Sequence, residues 1–161
     1  MAMITPAIEK DGADILKIAA NSGVFDPIEV ETVAELWNEF MRKGPEPSGY
    51  HFIVSRENDH LSGFACFGPR ALTEGTYDLY WIAVDPGARR GGVGKSLLNY
   101  IEQAVTERGG RLIFIETSGL EMYVPTRRFY TSAGYEQEAS IRDFYKPGDD
   151  LVIFTKHLSG R

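Results

Sequence analysis

Apolar residues recur at two spacings along the chain, and these spacings predict its strands and helices. Short runs rich in aromatic and β-branched residues are typical of strands, and such runs occur at residues 2–8, 50–56, 61–67, 76–84, 111–117, 135–142 and 151–156. Spacings of three and four, typical of a helix face packed on a sheet, fill the longer intervals between them. The predicted order is β-α-α-β-β-β-α-β-α-β-β, a mixed α/β fold with a single domain over residues 1–161.

Capping signals place the starts of the four predicted helices. Asp11 is the expected N-cap of the first helix. Residues 26–29 combine a capping side chain, a proline at N1 and a glutamate at N3 before the second helix. The central helix follows the glycine-rich residues 89–94, and the last helix begins with Pro125 at N1. We expect each helix to bury one face against the strands.

Composition and charge narrow the classes of partner. The chain has 161 residues, a net charge of -6 at pH 7 and one cysteine, Cys66. An acidic chain lacks the surplus of lysine and arginine that nucleic-acid phosphates require. No apolar run approaches the ~20 residues of a membrane span. We therefore expect a cytoplasmic protein with no nucleic-acid or membrane partner, a buried Cys66, and a monomeric or homodimeric state.

The strongest local signal is a glycine-rich segment between a predicted buried strand and a helix. Residues 79–84 form an apolar run, and residues 89–94 read Arg-Arg-Gly-Gly-Val-Gly before an amphipathic helix. The first amides of a helix lack intrahelical partners and carry partial positive charge, and glycines let an anion approach the main chain. The segment therefore predicts a phosphate-binding site.

Spacing separates three known motifs that such a segment could represent. A nucleotide-binding P-loop fits the tail Gly94-Lys95-Ser96, but Arg89 stands where its first glycine is required. A dinucleotide fingerprint would need a third glycine at the position of Leu97. The segment matches Arg/Gln-x-x-Gly-x-Gly/Ala in full. It therefore resembles the acyl-CoA pyrophosphate loop of the GNAT superfamily of N-acyltransferases.

A second segment carries the same resemblance. In residues 125–135, Phe129-Tyr130 is followed by Gly134-Tyr135, which is similar to the Phe-Tyr-x-x-x-Gly-Phe/Tyr signature of the family's late helix and following strand. The resemblance covers nearly the whole chain and implies a GNAT-like fold, with a mixed, mostly antiparallel central sheet flanked by helices. It also implies an N-acetyltransferase that uses acetyl-CoA and acts directly, in a ternary complex, on a primary amine of a small molecule or peptide.

The family's functional positions fall on particular residues of this chain. The implied cofactor-binding residues are Ile82, Ala83, Val84, Arg89, Arg90, Gly91, Gly92, Val93, Gly94, Lys95 and Tyr130. Tyr130 is the implied general acid, because the signature phenol commonly faces the cofactor sulfur. Two carboxylates compete for the role of general base. Asp78 shares a strand face with Tyr80 and Ile82 if period-two alternation holds, and Glu116 lies near the end of the next strand.

One departure from the family pattern leaves questions open. Many members carry an asparagine at the turn before the late helix, where this chain has Tyr123-Val124-Pro125. Tyr123, Arg127 and Arg128 are therefore expected either to contact the cofactor or acceptor, or to form solvated helix surface. Three scattered histidines and one cysteine give no metal-ligand spacing, so no metal is expected. A catalytically weak acyl-CoA sensor and a nucleotide-phosphate binder using Lys95 remain as alternatives.

Overall fold

The computed structural model describes residues 2–158, except for the side chains of Arg89 and Arg90. The strands are β1 (Met3–Pro6), β2 (His51–Glu57), β3 (His60–Pro69), β4 (Thr76–Val84), β5 (Leu112–Ser118), β6 (Glu136–Lys146) and β7 (Asp149–His157). The α-helices are α1 (Gly12–Asn21), α2 (Pro27–Lys43), α3 (Pro45–Ser48), α4 (Val93–Glu107) and α5 (Val124–Ser132). The order confirms the prediction, with the one-turn helix α3 as an addition.

The seven strands form one sheet in the order β1-β2-β3-β4-β5-β7-β6. Every neighbouring pair is antiparallel except β4 and β5, which run parallel. A parallel connection needs a crossover, and α4 with its preceding loop supplies it between β4 and β5. The fold is therefore the predicted mixed, mostly antiparallel sheet flanked by helices.

A hydrophobic cluster packs on each face of the sheet. One face carries α4 and α5, and its cluster includes Leu79, Leu97, Ile101, Ile113 and Tyr130. The other face carries α1 and α2, and its cluster includes Ile15, Val33, Trp37, Phe52 and Cys66. Cys66 is fully buried, as predicted, and burial raises the pKa of its thiol. Between residues 2 and 158, no helix is both long and apolar enough to cross a bilayer.

The start of α1 differs from the prediction. The carboxylate of Asp11 makes no capping hydrogen bond to α1. It accepts a bond from the backbone N–H of Ile8 at 2.8 Å and pairs with both terminal nitrogens of Arg56 at 2.9 and 3.0 Å. A bidentate arginine is a stronger partner than a single helix amide, so Asp11 ties the start of α1 to β2 instead.

A bulge in β4 overturns one prediction about strand faces. The ladder pairs Cys66 with Trp81 but Phe67 with Leu79, which leaves Tyr80 as an extra residue in β4. Such a bulge reverses the alternation beyond it. Tyr80 and Trp81 both pack on the α1–α2 side, whereas Ile82 packs on the α4 side. The prediction that Ile82 shares a face with Tyr80 and Asp78 is therefore wrong.

The hairpin of β6 and β7 is longer than predicted, and its pairing is irregular near the tip. Ile141 pairs with Leu151 and Lys146 pairs with Asp149, so β6 contains three extra residues between these positions. Asp143, within this stretch, has a φ of 57°, in the left-handed region. The extra residues widen the hairpin near its tip and bring Tyr145 to the edge of the cleft described below.

Candidate active site

The site begins where β4 and β5 separate. The two strands pair only over Thr76–Asp78 and Leu112–Phe114, although β4 stays paired with β3 to Val84 and β5 with β7 to Ser118. Beyond the paired region, the backbone groups of β4 and β5 that face each other have no ladder partner. Unpaired strand edges present a row of N–H and C=O groups to any extended molecule that lies between them.

A cleft of about 780 Å³ opens at this separation. Its lining comes from six places: the α1–α2 junction, β4, β5, the segment that leads into α5, α5 itself, and the β6–β7 hairpin. We call residues 82–84, residues 91–95 and Tyr130 the loop end. Ile82 and Tyr130 line the cleft, and the start of α4 adjoins it where Gly94 packs against Val84 and Phe129. We call the part formed by Asp26, Glu29, Glu116 and Asp149 the acidic end.

Two glycines, Gly92 and Gly94, allow the backbone conformation and the close packing of the loop end. Gly92 is the N-cap of α4 with a φ of 73°, and a Cβ there would meet nothing within 4 Å. At Gly94, a Cβ would lie 3.1 Å from Cζ of Phe129 and 3.7 Å from Cγ2 of Val84. Gly94 therefore lets the start of α4 lie against both the end of β4 and α5. The side chains of Arg89 and Arg90 fall outside the described part of the chain.

The first amides of α4 point away from the helix, as at any helix N-terminus. The earliest helical bond is donated by Ser96 to the carbonyl of Gly92 at 3.0 Å. The amides of Val93, Gly94 and Lys95 therefore precede the hydrogen-bonded ladder. Together with the open surface at Gly91 and Gly92, they form the kind of cradle that binds phosphate, and this cradle is continuous with β4 through the contact of Gly94 with Val84.

Tyr130 lines the cleft from α5. Its side chain is only 5% exposed and packs against Phe129, Tyr135 and Phe154, with ring centroids 5.5, 6.0 and 5.9 Å away. Burial raises the pKa of its phenol above the ordinary value. No described residue hydrogen-bonds to its hydroxyl, and no fully enclosed polar atom in the described chain lacks a partner. The hydroxyl therefore remains accessible from the cleft.

The two candidate bases have different surroundings. Asp78 is 7% exposed and accepts a hydrogen bond from Nη1 of Arg70 at 2.8 Å. Burial raises the pKa of Asp78, although Arg70 opposes the shift. Glu116 has a 41% exposed side chain, lies 4.0 Å from the same Nη1, and lines the cleft. Asp78 is absent from the lining among the described residues, so Glu116 has the more direct access to a bound molecule.

Tyr123, at the turn where many family members have an asparagine, and Arg127 in α5 both donate hydrogen bonds to main-chain carbonyls of this chain. The hydroxyl of Tyr123 donates a hydrogen bond to the carbonyl of Val24 at 2.7 Å. Nη1 of Arg127 donates to the carbonyls of Ser118 and Leu120 at 2.7 and 2.9 Å. These contacts hold the segment between β5 and α5 beside the cleft. Arg128 is exposed on α5.

Sequence reasoning missed most of the acidic end. Asp149 is buried and accepts a hydrogen bond from Oγ of Ser118. Tyr145, from β6, has a pKa raised to about 12, first by burial and then by the charges of Glu116, Asp149 and Glu29. The only signal in the sequence was the aspartate-rich turn after Lys146, and turns of that composition are common. Across residues 2–158, no group of three or more His, Cys, Asp and Glu is arranged as a metal site.

Comparison with known proteins agrees with this architecture. A family model described as the Acetyltransferase (GNAT) family matches residues 16–135. Among solved structures, the chain is similar to a GNAT-family protein of Desulfovibrio desulfuricans, with 40% sequence identity and a TM-score of 0.95, covering 99% of this chain and 100% of that one. No curated protein sequence matches significantly.

Two more distant structures share the fold. One is the ribosomal-protein-S18-alanine N-acetyltransferase of Escherichia coli, with 21% identity, a TM-score of 0.79, and coverage of 100% of this chain and 96% of that one. The other is an aminoglycoside 6'-N-acetyltransferase complexed with coenzyme A, with 18% identity, a TM-score of 0.76, and coverage of 99% and 98%. These two proteins have chemically different acceptors, so the shared fold does not identify an acceptor.

Proposed function

The chain belongs to the GNAT family of acetyltransferases, and we propose that it transfers an acetyl group from acetyl-CoA to a primary amine by direct transfer in a ternary complex. The observation that carries this proposal is the separation of β4 and β5, which opens a cleft lined by Ile82 and Tyr130. The glycine-rich start of α4 packs against Val84, at the end of the same strand β4. The coenzyme A in the related aminoglycoside acetyltransferase supports the same donor here.

The residues of the loop end fit the donor. The amides at the start of α4 suit the pyrophosphate, because open glycines give a dianion access to positive backbone groups. The main-chain edge of residues 82–84 suits an extended amide-bearing arm, which can hydrogen-bond to it as an additional strand would. The donor would then reach Tyr130 at the point where the two strands separate.

Transfer of an acetyl group to an amine sets two demands on the chain. An alkylamine with a pKa of ~10.4 is protonated at pH 7, and removing that proton costs about 4.6 kcal/mol. Acetyl-CoA supplies a thioester, which a neutral amine nitrogen attacks. Glu116 accepts the amine proton, directly or through a water, because it lines the cleft and is solvated. Tyr130 donates a proton to the sulfur as the carbon–sulfur bond breaks, and its raised pKa keeps the phenol protonated until then.

A turnover screen tests the proposal. Acetyl-CoA is mixed with the protein and amines of different charge, and free thiol release is followed while mass spectrometry identifies the acetylated amine. We expect thiol release that depends on both protein and amine. Tight coenzyme A binding without turnover on any amine would contradict transfer and favour the acyl-CoA sensor.

A further inference from the structure

The acidic end of the cleft holds more negative than positive charge. Its lining includes the carboxylates of Asp26, Glu29, Glu116 and Asp149, and the only described cationic side chain in the lining is Lys146. Arg70 lies beside Glu116 but is engaged with Asp78 at 2.8 Å. Arg127 approaches from α5 and donates to main-chain carbonyls instead.

Three of these carboxylates are held by neutral donors. Asp26 accepts from the backbone N–H of Glu29 at 2.8 Å, and Glu29 accepts from that of Asp26 at 3.3 Å. Asp149 accepts from the hydroxyl of Ser118. Neither these two acids at the start of α2 nor Asp149 forms an ion pair with a described lysine or arginine. Neutral groups therefore orient these three carboxylates, and none of them is neutralised by a direct ion pair with a described lysine or arginine.

These groups surround one space, although they come from distant segments. Burial raises the pKa of Glu29, and the charges of Asp26 and Asp149 raise it further against an opposing backbone hydrogen bond. The phenol of Tyr145 is within the electrostatic reach of Glu116, Asp149 and Glu29. Residues from the start of α2, from β5 and from the β6–β7 hairpin thus converge on the same part of the cleft.

A separate observation marks this cleft as a ligand site. The hydroxyl of Tyr130 lies at its loop end, belongs to a side chain that is 5% exposed, and has no hydrogen-bond partner among the described residues. A hydroxyl on a side chain as buried as this one is rarely left without a partner. A molecule that occupies the cleft would supply that partner and would extend from Tyr130 towards the acidic end.

We infer that the acceptor is an amine with a second positive charge, and that Glu29 and Asp149 bind the charged group that is not acetylated. This inference rests on the acetyl transfer proposed above. The attacking nitrogen must be neutral, and carboxylates around a lone amine would favour its protonated form. A diamine meets both conditions, because one nitrogen loses its proton near Glu116 while the other stays charged at the acidic end.

A matched panel of amines tests this inference. The acceptors are 1,3-diaminopropane, 1,4-diaminobutane and 1,6-diaminohexane, each paired with the monoamine of the same length, together with 4-aminobutanoate. We expect kcat/KM to be at least tenfold higher for the best diamine than for its monoamine, and higher still relative to 4-aminobutanoate. Added salt should reduce the advantage, because it screens charge.

The outcomes separate the two proposals. Turnover of monoamines that equals or exceeds that of every diamine would overturn the inference and leave acetyl transfer standing. Absence of turnover with every amine would overturn acetyl transfer, and this inference with it.

Two variants locate the second charge. Asp149→Asn keeps an acceptor for the hydroxyl of Ser118, and Glu29→Gln is the corresponding change on α2. Each variant should lower kcat/KM for the diamine about tenfold and leave kcat/KM for the monoamine nearly unchanged. Glu35→Gln is the control, because Glu35 is exposed on α2 outside the cleft. Equal losses on diamine and monoamine would contradict the assignment. If Asp149→Asn does not fold, Glu29→Gln decides.

Discussion

The two ends of the cleft are built from different parts of the chain. The loop end consists largely of main chain and glycines, and residues 82–84 and 91–95 supply all of it except Tyr130. The acidic end consists of side chains from α2 and its N-cap, from β5 and from β7, and these are more than a hundred residues apart at their extremes. An arrangement that binds with its backbone needs particular residues at fixed spacing, whereas one that binds with charge needs only carboxylates brought together by the fold.

This contrast explains why the same fold accommodates different acceptors. The loop end is constrained by the N-terminus of α4 and by two diverging strands, which are features of the main chain. The acidic end depends on the α1–α2 junction and on the tip of the β6–β7 hairpin, and the backbone there is not fixed by sheet pairing alone. Changes at the acidic end should therefore alter the choice of acceptor and leave donor binding intact.

The largest effect is expected at Tyr130, the residue by which the loop end lines the cleft. Tyr130→Phe keeps the ring and its packing but removes the group proposed to protonate the sulfur. We expect kcat to fall by roughly 10² to 10⁴ with little change in KM for acetyl-CoA. Steady-state kinetics on the best acceptor measures this. A kcat within twofold of the unmodified protein would remove Tyr130 from the chemistry and leave it as a core residue.

The contrast between a loop end built from one segment and an acidic end built from distant segments also explains which features the sequence could predict. The glycine-rich loop and Phe129-Tyr130 were visible because backbone binding and helix packing demand those residue types. The face of Ile82 was predicted wrongly, because the bulge at Tyr80 adds one residue to β4 and leaves no marker in the local pattern. Asp149 and Tyr145 were missed, because their place depends on hairpin pairing and on the three extra residues of β6, which are long-range properties.

The next effect separates the two candidate bases. Glu116→Gln should lower kcat/KM by about 10², near the lower limit for general base catalysis, because a relaying water retains part of the function. Asp78→Asn should lower it only a few-fold, since Asp78 is engaged with Arg70 and does not line the cleft. Kinetics of both variants on one acceptor gives the ratio. A larger loss for Asp78→Asn would reverse the assignment.

A smaller effect is expected when a negative charge is introduced at the loop end, which tests whether the loop binds an anion. Gly91→Glu places a carboxylate at a position where a Cβ meets only Val93 at 4.0 Å, so folding should persist. Like-charge repulsion between the new carboxylate and the bound pyrophosphate should raise KM for acetyl-CoA by about 10- to 100-fold.

Gly91→Gln is the matched control for size, and its KM should rise much less. Gly92 is less suitable, because its φ of 73° strains any larger residue. Equal KM values for Gly91→Glu and Gly91→Gln would exclude a bound anion at this loop.

The smallest effect compares Tyr130 of the loop end with Tyr145, which lies near the carboxylates of the acidic end, by the influence of each on stability at alkaline pH. Burial raises the pKa of Tyr130 in the folded chain, so its contribution to stability is complete below its unfolded pKa of about 10 and is lost as pH rises. Between pH 9 and 11, one such group costs about 1.4 kcal/mol of unfolding free energy. Urea unfolding at both pH values should therefore show that Tyr130→Phe loses about that much less stability than the unmodified protein.

Tyr145→Phe should differ less from the unmodified protein in this loss of stability, because Tyr145 is 47% exposed and solvent reduces the effect of burial. If Tyr130→Phe and the unmodified protein lose equal stability, the Tyr130 phenol ionises as freely in the folded chain as in the unfolded one, and the burial of its side chain at the loop end is contradicted.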